Sequence, residues 1–108
     1  MEEKLKSALE RLKNDSDIAA VIVFGSYVRT PEYARDIDIC VVLNRKMSVL
    51  DMGKKRISFM RGMPDNMDIQ VFQLLPLYVR SKILKEGKVL SGPDERILYD
   101  IAARTIKE

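Results

Sequence analysis

The chain has 108 residues, 46% of them apolar, with 19 basic and 16 acidic side chains and a net charge of +3. That length supports one domain over 1–108, and so mild a charge tolerates an anionic ligand without indicating a nucleic-acid protein. With no histidine and a single cysteine, His-Cys zinc sites, Ser-His triads and an intrachain disulfide are all excluded.

Residues 1–17 lack the apolar core of a signal peptide and no run reaches transmembrane length, so a cytoplasmic protein is expected, with no membrane partner. Leu5, Ala8, Leu9 and Leu12 repeat at helical spacing and predict an amphipathic helix over 2–14. Ile18 to Phe24 is apolar on both faces and rich in β-branched residues, which favours a central strand. Gly25-Ser26 breaks it, and Ser26 is expected to cap a short helical turn through about Arg29. Pro31 prevents a long helix in the next stretch. Ile37 to Leu43 reads as a second apolar strand carrying Cys40, an inert buried thiol.

Ser48 to Met60 has helical spacing, with Val49, Met52, Arg56, Phe59 and Met60 near one side and Gly53 weakening the pattern. Its Lys54-Lys55-Arg56 run reads as a solvated face. Met67 to Leu74 predicts a third strand, and Pro76 opens a helix that ends at Gly87, where a left-handed cap suits glycine. Lys88 to Leu90 reads as a short edge strand or an extended link. Ser91 and Asp94 have capping-box spacing, and Ile97, Leu98, Ile101, Ala102 and Ile106 form the stripe of a last helix. The class is α/β.

The acids set the strand directions. Gly25-Ser26 lies at the end of the first strand, whereas Asp36 and Asp38 lie at the start of the second and Asp68 at the start of the third. One shared site requires the first two strands to be antiparallel and the third parallel to the second, with the helix of 48–60 as crossover. The sheet is then mixed, with helices packed against it, and not doubly wound.

Period two puts Asp36 and Asp38 on one face, roughly 6.5–7 Å apart. Carboxylates held beside an apolar strand are costly unless cations join them. Their oxygens suit one or two Mg²⁺ ions, which take phosphate oxygens as further ligands. Asp68 is placed to share an ion or to orient or deprotonate an attacking hydroxyl. Gly25 allows close approach of phosphate to backbone, and the Ser26 hydroxyl can hold terminal phosphates. No G-x-x-x-x-G-K run is present. A phosphatase with a D-x-D nucleophile would need a later lysine and acidic cluster, and none is distinctly placed.

Strand, G-S, an Arg-bearing turn, D-x-D and a later D together resemble a minimal nucleotidyltransferase (MNT-like) domain of the DNA polymerase beta superfamily. The matching residues are Gly25, Ser26, Arg29, Asp36, Asp38 and Asp68, and the likeness runs from about Ile18 to Leu90. Thr30 stands where members commonly have glycine, which affects the turn and leaves the acids intact. The resemblance implies a single nucleotidyltransferase-like α/β domain that binds ATP or another NTP, its phosphates at Gly25-Ser26 with Arg29 near them. It also implies Mg²⁺ on Asp36, Asp38 and Asp68, and transfer of AMP to a hydroxyl. Small members accompany a helical HEPN protein as antitoxin and transfer AMP to it, so a HEPN-type partner is implied. A homo-oligomer is the other way to complete the cleft. The rival reading is a non-catalytic antitoxin-like or nucleotide-sensing module.

Overall fold

The computed structural model describes residues 2–92 together with 96, 98–100 and 103. In chain order they form α1 (Glu2–Lys13), β1 (Ile18–Phe24), the one-turn α2 (Ser26–Arg29), β2 (Ile37–Leu43), α3 (Val49–Met60), β3 (Met67–Val71), a 3-10 turn (Phe72–Leu74), α4 (Leu77–Glu86) and β4 (Lys88–Ser91). The last helix read from Ile97, Ile101, Ala102 and Ile106, and the capping box at Asp94, lie outside the described residues. Among the described residues no helix is long and apolar enough to cross a membrane.

The sheet order is β3-β2-β1-β4. Strand β1 pairs antiparallel with both β2 and β4, while β2 pairs parallel with β3. This is the mixed sheet that the acid positions demand. Alternation along the central strands divides the core in two. Val21, Val23, Ile37, Ile39, Val41, Met67, Ile69 and Val71 face α1 and α3, which contribute Ala8, Leu12, Met52 and Phe59. On the other face Ala20, Ile22, Cys40, Val42 and Phe72 meet Ile83 of α4 and Leu98. Each such buried aliphatic contributes about 1.5–3 kcal/mol, enough to fix which side of each strand faces which helix. Cys40 is fully buried and burial pushes its thiol well above the ordinary range, as an inert thiol requires.

Several local expectations change. Strand β3 stops at Val71 because the Gln73 side chain takes over the next rung: its Nε2 donates to Leu43 O at 2.8 Å and its Oε1 accepts from Leu43 N at 3.2 Å. Phe72 then turns into the core. Helix α3 starts where expected, with Ser48 Oγ accepting from Asp51 N at 3.1 Å. Val49, however, is 72% exposed and does not belong to the inward stripe. Pro76 is the N-cap of α4 and not part of its first turn.

Gly87 is not left-handed; its φ is −73°. Glycine is needed there for space, since a β-carbon would lie 2.5 Å from Ile83 O and 2.6 Å from Ile22 Cγ2. Gly87→Ala should therefore cost about 1–3 kcal/mol in chemical denaturation, through overpacking and not through φ.

Only Lys54 of the Lys54-Lys55-Arg56 run is exposed. Lys55 Nζ sits 2.8 Å from Asp15 Oδ2 and 3.0 Å from Asp17 Oδ2, tying α3 to the turn before β1. Arg45 Nε adds a bond to Asp17 Oδ1 at 2.8 Å. Hydrogen bonds from Arg45 and Lys55 hold the Asp17 carboxyl down to about 2. A value lower in the fold than in the unfolded chain means that the stabilisation is complete above about pH 4 and lost as pH falls through about 2. Asp17→Asn should remove that part of the acid-unfolding slope, and urea titrations at stepped pH will read it.

Candidate active site

Three features meet where β1 ends and β2 and β3 begin. Phe24, the last residue of β1, is paired with Asp38, and Asp38 is in register with Asp68 across the parallel β2–β3 pair. Asp36 directly precedes β2. Asp36, Asp38 and Asp68 thus occupy one face of the sheet edge, because each is two residues or one strand from the next.

Gly25 makes the close turn. Its φ of 78° and ψ of −155° belong to glycine, and it is the N-cap of α2 with no side-chain cap hydrogen bond. Ser26 is therefore the first residue of α2 and not its cap. A β-carbon on Gly25 would lie 2.6 Å from Asp38 Oδ2. The missing side chain is what lets this carboxylate lie against the turn.

Asp38 is half-buried and Asp36 exposed. Among the described residues neither side chain has an ion pair or hydrogen bond. Burial raises the Asp38 carboxyl above its ordinary value, and the charges of Asp68 and then Asp36 push it further the same way. A central strand thus carries an ionisable group whose negative form is opposed by solvent loss and by two like charges.

Asp68 is differently placed. Arg56 Nη2 donates to its Oδ1 at 3.1 Å and Gln70 Nε2 to its Oδ2 at 2.7 Å. Sequence reading missed both partners. Arg56 carried a signal, since it fell in the inward stripe of α3 although it is charged. Gln70 carried only its period-two relation to Asp68. Arg29 forms a long ion pair with Glu86 at 3.9 Å, both side chains more than half exposed; such a pair is weak enough to open for another anion. Tyr27 packs against the core, and Tyr33 is 81% exposed on the loop before Asp36.

Oxygen donors that lack a cation fit a hard divalent ion, and Asp36 and Asp38 meet that description. Among the described residues no group of three acidic, cysteine or histidine side chains closes on one point as a ready metal cage. The side chain of Asp68 is turned onto Arg56 and Gln70.

Comparison with known proteins identifies the family and the fold. The profile of the family described as Polymerase beta, Nucleotidyltransferase matches residues 3–96. A candidate protein adenylyltransferase of Methanocaldococcus jannaschii is 33% identical over 82 residues, which cover 73% of this chain. The chain spans 60% of that relative's length. Among solved structures, a chain of a toxin–antitoxin assembly with AMP-PNP has a TM-score of 0.65 at 20% identity, covering 98% of this chain and 84% of that one. A chain from the complex of tri-AMPylated Shewanella oneidensis HEPN toxin with MNT antitoxin has a TM-score of 0.61 at 18% identity, covering 96% and 84%. At such identities the two structures speak for the fold alone. Because the family profile covers residues 3–96, most of the chain, the chain belongs to the polymerase beta nucleotidyltransferase family.

Proposed function

We propose that this chain transfers AMP from ATP to a hydroxyl on a protein partner, in a reaction that requires Mg²⁺. The observation that carries the reading is the pair Asp36 and Asp38, without a cation among the described residues, beside a turn that only glycine can make. Asp36 and Asp38 would hold the metal, with Asp68 beside them. When bound, the metal would neutralise charge on the phosphates and on the oxygens that enter and leave.

The chain's own residues do the rest. Gly25 leaves room for phosphate oxygens against the backbone, and Ser26 offers a hydroxyl donor there. Arg29 exchanges Glu86 for the phosphate chain. The acceptor oxygen attacks the α-phosphorus, the bond from the α-phosphorus to the bridging oxygen breaks, and pyrophosphate leaves. Asp68, its carboxylate held by two donors with lone pairs to spare, takes the acceptor's proton.

The similarity to a candidate protein adenylyltransferase supports AMP and a protein acceptor. A fold shared with an MNT antitoxin bound to tri-AMPylated HEPN toxin supports a helical HEPN-type partner. The test is incubation of purified protein with Mg²⁺, a lysate and ATP labelled at the α- or the γ-phosphate. A protein band labelled from the α-position only is expected. Label that persists after both Asp36→Asn and Asp38→Asn, or nucleotide binding with no labelled band at all, would overturn the reading.

A further inference from the structure

The geometry points to Arg56 as a positioning residue: it reaches around the free edge of β3 from α3 and, with Gln70, holds the carboxylate of Asp68 in one place at the mouth of β3. This rests on reading Asp68 as the third acid of the transferase.

Strand β3 is at the edge of the sheet. Helix α3 packs on the face that Ile69 and Val71 share, opposite the face of Asp68 and Gln70. Two α3 side chains close the exposed edge: Met60 Sδ accepts from Ile69 N at 3.1 Å, and Arg56 Nε donates to Ile69 O at 2.9 Å. The second bond anchors the guanidinium on the backbone, and its Nη2 then meets Asp68 Oδ1 from beyond the strand. Gln70, two residues along the same face, takes the other oxygen.

The arrangement does more than pair two surface charges. Arg56 and Asp68 keep only 36% and 41% of their side-chain surface exposed, and the guanidinium is fixed at two points. Each carboxylate oxygen has about two acceptor sites. With one used on each oxygen, Asp68 keeps a free site on each for a proton or a cation. Lysine cannot replace this fork, because a single ammonium on a flexible stem does not span a backbone carbonyl and a carboxylate in fixed geometry. Without the clamp, a half-exposed aspartate beside Asp38 would leave the face by side-chain rotation.

The experiment compares Arg56→Gln, Arg56→Lys, Asp68→Asn and the double variant Arg56→Gln/Asp68→Asn. Label transfer from α-labelled ATP into lysate protein is followed across ATP concentrations. Arg56→Gln should lower the maximal rate about 10- to 100-fold while half-saturating ATP moves by less than about threefold, the pattern of a misplaced group. Arg56→Lys should recover little of the loss, and Arg56→Gln should add nothing to Asp68→Asn. A readout free of turnover is the NMR signal of the Arg56 Nη groups in protein without nucleotide or metal: resolved in the wild type and averaged in Asp68→Ala. A full maximal rate in Arg56→Gln, losses that multiply in the double variant, or averaged Nη signals in the wild type would each overturn the role of Arg56. Full transfer by Asp68→Asn, with Asp36→Asn inactive, would instead remove the underlying reading of Asp68.

Discussion

Asp38→Asn is expected to reduce AMP transfer by at least about 100- to 1,000-fold, the scale of losing one preorganised electrostatic contact to a transition state. The same substitution should make the metal-free protein more stable at neutral pH. Both effects come from the position of Asp38 on a strand otherwise given to the core. Burial, then Asp68, then Asp36, hold its carboxyl above the ordinary value. A value raised in the fold means that ionisation weakens the native state. Stability is greatest below the unfolded value near pH 4 and falls as pH rises through the folded one. The amide carries no charge, so the variant should melt above the wild type at pH 7 and level with it at pH 3.5. Mg²⁺ should stabilise the wild type and leave Asp38→Asn unmoved, which closes the gap. Thermal unfolding across pH with and without Mg²⁺ gives all four comparisons. A variant that loses transfer and also melts lower at pH 7 would show a structural aspartate instead.

Much of this was legible in the chain because it depends on local pattern. The bounds of β1 and β2 follow from two apolar, β-branched runs interrupted by Gly25-Ser26 and Asn44. The strand directions followed from one assumption, that the acids share a site. That assumption is enough because chain order leaves few topologies.

What could not be read depends on residues far apart in sequence. Gly87 is the C-cap of α4 as its neighbours suggest, but only the approach of Ile22 and Ile83 O shows that glycine serves there for space and not for a left-handed turn. The end of β3 is set by Gln73 bonding to Leu43, thirty residues away. Lys55 and Arg56 look solvated in a basic run, yet each finds an acid on another element. For Arg56 the warning was present, since a charged residue in an inward stripe needs a partner. The site therefore divides by charge. Asp68 is already matched by a guanidinium, while Asp36 and Asp38 hold the negative charge that a cation and a phosphate chain would meet.

Gly25→Ala should damage turnover and stability together. At φ 78° and ψ −155° an L-residue is strained by about 1–3 kcal/mol before any contact is considered. The new carbon would also lie 2.6 Å from Asp38 Oδ2 and 3.5 Å from its Cγ, so the turn or the carboxylate must move. Either movement separates the phosphate-facing turn from the acid it accompanies, and a displacement near 1 Å costs about 100-fold in rate. Transfer should fall by that factor or more, together with a loss of denaturation midpoint. Asp38→Ala separates strain from collision. With the carboxylate gone, Gly25→Ala should retain only its backbone cost, so the two stability changes should sum to more than the double variant shows. Equal cost in both backgrounds would mean that turn and carboxylate do not press on one another, and the close approach that defines the site would lose its support.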